Sequence, residues 1–98
     1  MTVQVHVEGQ VATGSLPEFA EAIEEYKTYA RSHEFAVPDV LLGLSGEMNT
    51  VRLVYRFDTA TDYELQELRT LSDKDYGDVA KRMGFADRTL HYSIYREI

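Results

Sequence analysis

Apolar and polar residues alternate along three segments of the chain, which is the period of a half-buried β-strand. These segments run from Thr2 to Val11, from Thr50 to Asp58 and from Thr89 to Ile98. A fourth segment, Asp39 to Ser45, is apolar on both faces and leads into Ser45-Gly-Glu-Met-Asn49, which predicts a hairpin loop. We therefore expect four strands.

Two other segments have the period of a helix. The first follows Ser15-Leu-Pro-Glu18, which predicts a capping box with proline in the first turn. Its apolar face, which we expect to run to the region of His33, consists of Phe19, Ile23, Tyr26 and Ala30. The second follows Thr61-Asp-Tyr-Glu64, a second predicted capping box, and carries Tyr63, Leu65, Leu68 and Leu71. A short helix then starts between Ser72 and Asp75 and ends near Gly84, a candidate C-terminal cap.

The element order β-α-β-β-α(α)-β predicts a ferredoxin-like α+β fold, a four-stranded antiparallel sheet in the order 4-1-3-2 with helices on one face. In this arrangement we expect the last strand to pair with the first. We also expect the first and third strands to be central neighbours that run parallel. The 98 residues suit one domain spanning 1–98, because single domains most often have roughly 100–150 residues.

Composition narrows the choice of partners. The formal net charge of −7 disfavours nucleic acid and anionic membranes as partners. The chain has no cysteine, which excludes a disulfide scaffold, a thiolate metal site and a cysteine nucleophile. We find no apolar run long enough to cross a bilayer and no signal-peptide pattern near Met1, so we expect a cytoplasmic protein.

The sheet face away from the helices carries most of the chemistry-bearing residues. The alternation of side chains along each strand decides which residues lie on this face, because a shift by one residue would turn every apolar side chain away from the core. If the midpoints of the first, third and fourth strands are aligned, three rows of residues are predicted across this face. The rows are Gln4, Arg52 and Tyr95; His6, Val54 and Ser93; Glu8, Arg56 and His91. This face is either a solvated surface, with Glu8 and Arg56 as a weak ion pair, or the lining of a cavity. Its His, Arg and Tyr content without lysine favours the cavity.

If the face lines a cavity, its residues suit proton transfer at a carbonyl. His6 and His91 are the candidate acid and base, and Glu8 would bind His91 and fix its orientation and tautomer. Arg52 and Arg56 would hold a carboxylate, phenolate or enolate. Tyr95 would donate a hydrogen bond to a substrate oxygen, over a pocket floor formed by Leu41, Gly43, Val54 and Ser93. Two partly exposed histidines without any chemical role are the alternative.

Metal and haem sites are the less favoured possibilities. Zinc or iron would need three ligands, which His6, His91 and Glu8 supply only in the guessed register, so we expect no metal. We likewise expect no cofactor; haem is the alternative, with His91 or His6 as its axial ligand.

Three segments resemble dimeric α+β barrel proteins of the NIPSNAP-like type, in the wider group that contains the antibiotic-biosynthesis monooxygenases. They are Gly14-Ser-Leu-Pro-Glu-Phe19, Asn49-Thr-Val-Arg-Leu-Val-Tyr-Arg-Phe57 and Leu71-Ser-Asp-Lys-Asp-Tyr76. The resemblance covers nearly the whole chain in element order. It implies that two copies pack sheet to sheet and enclose a pocket in each half. We carry over no functional residue, because these motifs mostly form the fold.

Two classes of function stay open. Members of the wider group include cofactor-free oxygenases, polyketide cyclases, isomerases, haem-degrading enzymes and proteins without known activity. The first hypothesis is therefore a small cofactor-independent enzyme that acts on an aromatic or polyketide-like molecule by proton transfer or oxygenation. The second is a non-catalytic homodimer that binds a small ligand or has a structural role. In both, the partner is a second copy bound through the sheet face, which Leu41, Val54 and Tyr95 make partly apolar.

Overall fold

The structure is a computed structural model, and it describes residues 2–12, 14–43, 49–85 and 89–98. In chain order the elements are β1 (Val3–Gln10), α1 (Leu16–Ser32), β2 (Asp39–Leu42), β3 (Thr50–Phe57), α2 (Ala60–Ser72), α3 (Tyr76–Lys81) and β4 (His91–Arg96). The strands are each shorter than the alternation predicts. Residues 44–48, which include the end of the second predicted strand and most of the hairpin loop, lie outside the described residues.

The four strands form one sheet in the order β2-β3-β1-β4, which confirms the predicted ferredoxin-like α+β fold. All three neighbouring pairs are antiparallel. The expectation that the first and third strands run parallel is therefore wrong. The crossover through α1 makes β1 parallel to β2, and β3 lies between them and runs the opposite way.

This reversal exchanges the outer rows of the predicted sheet face. The middle row is correct, because His6 is opposite both Val54 and Ser93. In the outer rows, Glu8 is opposite Arg52, and Gln4 is opposite Arg56. The predicted pairing of β1 with β4 is correct throughout.

The core lies between the sheet and the helices, where the apolar side chains of β1 and β3 meet α1. Val5 is opposite Tyr55 and Val7 opposite Leu53, and all four are buried, as the alternation predicts. From α1, the buried residues are Phe19, Ala22, Ile23, Tyr26 and Ala30. Burial of these side chains drives the packing of α1 on the sheet.

Both predicted capping boxes differ from the structure. Ser15 is the N-cap of α1, but its side chain makes no capping hydrogen bond. The second helix begins two residues earlier than predicted, and the N-cap is Thr59, whose hydroxyl accepts a hydrogen bond from the backbone N–H of Asp62 at 3.1 Å. Because Thr59 is the N-cap and α2 begins at Ala60, the predicted cap residue Thr61 lies inside the helix.

The leucines predicted for the apolar face of α2 lie on its exposed side, and no residue of this helix is buried. Leu65, Leu68 and Leu71 are 54%, 61% and 83% exposed. Polar contacts fix the helix instead: Gln66 Oε1 accepts a hydrogen bond from the N–H of Ala36, and Arg69 donates to the carbonyl of His33. These contacts turn the leucines away from the sheet.

The inner side of β4 is also exposed, although the alternation places it on the core. Tyr92 and Ile94 are opposite Val7 and Val5, but they are 64% and 57% exposed because the helices cover the centre of the sheet and not this edge strand. Near the same edge, Phe85 and Leu90 pack closely over Gly9; a β-carbon at Gly9 would come within 2.6 Å of the Phe85 ring. Only glycine permits this approach.

Candidate functional site

Five side chains form a connected group on the sheet face away from the helices, which we call the sheet-face cluster. Its members are Gln4, His6, Glu8, Arg52 and Tyr95. They share this face because they alternate with the buried residues of their strands. They come from β1, β3 and β4, so the antiparallel register brings them together from three strands.

His6 is the centre of the cluster. Arg52 Nη1 lies 3.2 Å from His6 Nδ1, and Gln4 Oε1 lies 2.9 Å from His6 Nε2. Since a guanidinium can only donate, Nδ1 accepts and Nε2 carries the proton that it donates to Gln4. Tyr95 packs edge-on against the imidazole, with 4.7 Å between ring centroids.

The network continues beyond His6 at both ends. Arg52 donates from Nη2 to the carboxylate of Glu8, and Gln4 Nε2 donates to Glu97 Oε1 at 2.7 Å. Burial, together with the positive charges of Arg52 and Arg56, lowers the pKa of His6 from its usual 6.5. The imidazole is therefore neutral at neutral pH, with a defined tautomer.

Arg56 and His91 lie apart from this cluster. Arg56 forms an ion pair with Asp39 of β2 instead of the predicted pair with Glu8. His91 is opposite Glu8 on β4, but the Glu8 carboxylate binds Arg52, and the His91 side chain makes no hydrogen bond to another described residue. Glu8 therefore acts on His6 through Arg52 rather than orienting His91.

The predicted pocket floor has one buried member. Val54 is 5% exposed although it lies on the outer face, because the side chains around it cover it. Leu41 is 54% exposed, and Gly43 and Ser93 are exposed as well. In one chain this face is thus a shallow, partly apolar surface, and the prediction of a closed cavity over it stays a prediction.

A cavity of about 240 Å³ lies on the opposite side of the sheet, between the strands and the helices α2 and α3. We call it the helix-side cavity. Its walls are mostly apolar and aromatic, with Gln66, Glu67 and Thr70 of α2 as polar members and no basic side chain among the described lining residues. The large apolar and aromatic lining residues are Leu53, Tyr55, Phe57, Tyr63, Tyr76, Met83, Phe85, Leu90 and Tyr92.

Three tyrosines from three elements meet beside this cavity, and we call them the tyrosine triad. The Tyr26 hydroxyl of α1 lies 2.7 Å from that of Tyr55 in β3 and 3.0 Å from that of Tyr76 in α3. Burial is the main factor that raises the pKa of each far above its usual 10. All three hydroxyls therefore keep their protons at neutral pH and cannot serve as bases.

Asp73 holds the start of α3, and thereby Tyr76, in place. Its Oδ1 accepts hydrogen bonds from the backbone N–H groups of Asp75 and Tyr76, at 3.0 and 3.1 Å, and from the Tyr29 hydroxyl. The bond from Tyr29 is the main cause that lowers the pKa of Asp73. The segment Asp73-Lys-Asp-Tyr76, part of the third segment that carries the family resemblance, thus has a structural role: it positions Tyr76 at the cavity.

The two candidate sites lie on opposite faces of one sheet. Val5 and Val7 line the helix-side cavity, whereas His6 between them points to the sheet-face cluster. A ligand in the helix-side cavity therefore does not contact His6. Among the described residues, no group of three His, Asp or Glu side chains is arranged to hold a metal ion.

Solved structures with the same architecture include several NIPSNAP proteins. A NIPSNAP domain protein from Burkholderia xenovorans superposes with a TM-score of 0.79 at 16% identity, over 100% of this chain and 95% of that one. A NIPSNAP family protein of unknown function from Agrobacterium tumefaciens gives 0.79 at 13% identity, over 96% and 86% of the two chains. The chain shares the fold of these two proteins. This agrees with the resemblance that its sequence shows.

A candidate antibiotic biosynthesis monooxygenase from Nitrosomonas europaea shares the fold as well, with a TM-score of 0.73 at 15% identity over 99% of this chain and 90% of that one. No protein-family model matches the sequence, and no curated protein sequence matches it. At these identities the likeness shows the fold and not the activity. No helix among the described residues has the length and apolarity to cross a membrane.

Sequence reasoning missed the helix-side cavity and the tyrosine triad. The helical spacing predicts only that Tyr26 lies on the apolar face of α1, and it is indeed buried there, as Tyr55 is in β3. A signal was present, however: tyrosines occur on the core-facing positions of α1 and β3, and a buried tyrosine hydroxyl needs a hydrogen-bond partner. Several such tyrosines in a small core predict a shared hydroxyl cluster.

Proposed function

We propose that the protein binds an aromatic or polyketide-like small molecule in the helix-side cavity. The observation that carries this proposal is the cavity itself, which combines apolar and aromatic walls with a few polar groups at defined positions. Small-molecule sites in proteins have this character. Two polar groups of its α2 wall already have partners within the chain. The Glu67 carboxylate accepts a hydrogen bond from the Tyr63 hydroxyl, and the Thr70 hydroxyl donates to the Glu67 carbonyl.

The proposed chemistry on such a ligand is cofactor-independent proton transfer or oxygenation. It is supported by the shared fold with a candidate antibiotic biosynthesis monooxygenase. Protonated tyrosines at the cavity wall suit this chemistry, because they stabilise negative charge that develops on a substrate oxygen. Binding without turnover is the alternative, and the experiment below separates the two.

A ligand screen followed by a turnover assay tests this function. The purified protein is titrated with bicyclic and tricyclic aromatic ketones and phenols while intrinsic tyrosine fluorescence is recorded, and bound compounds are then incubated in air and analysed by mass spectrometry. We expect saturable binding that Leu53→Trp, which fills the cavity, abolishes, while Leu41→Trp on the outer face leaves it unchanged. Product formation supports an enzyme, and binding without product supports the alternative. Binding that survives Leu53→Trp would contradict the proposed site.

The sheet-face cluster supports a second candidate site, which depends on a homodimer. We propose that two copies pair through this face, so that the neutral His6, with Arg52 and Glu8, is enclosed with His91, Arg56 and Tyr95 of the same chain. The network around His6 favours this site, because it holds a neutral imidazole of one tautomer beside the Arg52 guanidinium, which can bind a developing oxyanion. Both ring nitrogens are occupied, which makes His6 a poor haem ligand.

Light scattering tests the dimer directly. We expect twice the mass of the 11.2 kDa chain at micromolar concentration. Once a substrate is found, His6→Ala and His91→Ala separately test the site: lower turnover with little change in binding is the expected effect of removing a group that acts in the transition state. A monomeric mass, or full activity in both variants, would contradict this second candidate.

A further inference from the structure

The tyrosine triad contains one more proton than its own hydrogen bonds use. Three hydroxyl groups carry three protons, but only two hydrogen bonds join them, both through Tyr26. Neither Tyr55 nor Tyr76 has a further hydroxyl partner among the described residues. One hydroxyl proton of the triad is therefore available to another acceptor.

The position of the three residues decides which proton this is. Tyr26 is 2% exposed and does not line the cavity, whereas Tyr55 and Tyr76 both do. If Tyr26 accepted both bonds, its own proton would be buried without an acceptor, which is unfavourable. Tyr26 therefore donates to one of the other two, and the residue that receives this bond, which lines the cavity, keeps a proton without an acceptor among the described residues.

The remaining cavity wall restricts the charge of a ligand. No lysine, arginine or histidine is among its described lining residues, and Glu67 contributes a carboxylate. An anionic ligand would lose its hydration without gaining a cation. A neutral acceptor oxygen such as a carbonyl makes the best partner for the free proton.

We infer that Tyr55 and Tyr76 determine the specificity of the helix-side cavity by donating a hydrogen bond to a neutral carbonyl oxygen of an apolar, ring-containing ligand. Either tyrosine can be the donor, because Tyr26 can direct its own proton to the other. The raised pKa of each tyrosine supports this role, since the hydroxyls remain donors up to strongly alkaline pH. The inference rests on the proposed binding function and adds to it the ligand class and the residues that select it.

A set of matched probes tests the inference on the wild-type protein. α-Tetralone is a bicyclic aromatic ketone, tetralin is the same ring system without the oxygen, and naphthoic acid presents a carboxylate. We expect α-tetralone to bind roughly tenfold more tightly than tetralin, the contribution of one hydrogen bond, and naphthoic acid to bind weakest. The infrared carbonyl stretch of isotope-labelled α-tetralone should fall on binding, as it does when a carbonyl accepts a hydrogen bond.

Variants then identify the donor. In Tyr55→Phe or Tyr76→Phe, one hydrogen bond remains, between Tyr26 and the other tyrosine. If Tyr26 donates this bond, the remaining lining tyrosine still has its proton for the ligand, so each single variant should keep the carbonyl shift. The double variant has no triad hydroxyl at the cavity wall and should bind α-tetralone and tetralin equally, without the shift. Tyr95→Phe is the matched control, because the Tyr95 ring packs against His6 on the opposite face of the sheet and does not line this cavity. Thermal unfolding confirms that each variant is folded.

The outcomes separate the two proposals. If no probe binds the wild-type protein, the binding function and the inference both fail. If α-tetralone and tetralin bind wild type equally, or naphthoic acid binds best, the cavity takes ligands but the inference is wrong. If the folded double variant keeps the carbonyl shift, the donor is another group, such as Gln66 or Tyr92, and the assignment to the triad is wrong. If the double variant does not fold, the wild-type affinities and carbonyl shift still decide the ligand class.

Discussion

At the scale of single residues, burial and the neighbouring groups determine the state of a titratable side chain. His6 illustrates this: Arg52 donates to one ring nitrogen and Gln4 accepts from the other. Protonation would place a proton on Nδ1 against the guanidinium, which disfavours the cation. The sequence shows a histidine on a polar strand face, but these neighbours become visible only when the strands are paired.

His6 makes the stability of the protein depend on pH. Because its pKa is lower in the folded state than the usual 6.5, the unfolded chain binds more protons, and stability falls as the pH drops below that value towards the folded pKa. We expect His6→Gln, which cannot titrate, to reduce this acid sensitivity. Urea unfolding of both proteins between pH 8 and pH 5 measures it, with the exposed His33→Gln as control. An unchanged pH dependence in His6→Gln would contradict the assigned network.

At the scale of elements, α2 shows that an apolar stripe does not by itself fix which face of a helix is buried. Its leucines have helical spacing, yet Gln66 and Arg69 attach the helix to the turn after α1, and Arg69 also lies over the Phe35 ring at 4.8 Å. The side of α2 that lines the cavity consists of Tyr63, Gln66, Glu67 and Thr70. A polar helix side over an apolar sheet leaves space, and this space is the helix-side cavity.

Stability measurements on paired leucine variants check this orientation of α2. Leu68→Gln should change the free energy of unfolding by less than about 0.5 kcal/mol, because the side chain is on the exposed side. Leu53→Ala in β3 should cost roughly 2–5 kcal/mol, since that side chain is buried in the core. Urea denaturation gives both values. A large cost for Leu68→Gln in dilute protein would mean that α2 packs its leucines inward.

At the scale of the whole molecule, one chain leaves apolar surface exposed on both sides of its sheet. Leu41 and Tyr95 lie on the outer face, and the leucines of α2 lie on the far side of the helices. Continuous exposed apolar surface often marks an interface. The proposed dimer uses the outer face, where the buried Val54 and the sheet-face cluster provide a centre.

Two charge-introducing variants locate the interface of the proposed dimer. Leu41→Glu places a carboxylate on the outer face, and Leu68→Glu places one on the α2 stripe, at side chains of similar exposure. Neither should unfold the chain, because both sites are exposed. We expect Leu41→Glu to raise the dimer dissociation constant at least about tenfold, as for a buried unpaired charge, and Leu68→Glu to leave it unchanged. Sedimentation equilibrium measures both, and the reverse result would place the interface on α2.

The sequence by itself determined the element order, the strand order and which residues share each sheet face. These properties follow from local periodicity and from the few connections that a β-α-β-β-α-β chain permits. It placed Val5 with Leu53 in the core and His6 between Val54 and Ser93, and the structure confirms both. Only the tertiary structure decided the partners of Glu8 and Arg56, the side of α2 that faces the sheet, and the meeting of Tyr26, Tyr55 and Tyr76. These depend on strand direction and on contacts between residues distant in sequence, which no local pattern encodes.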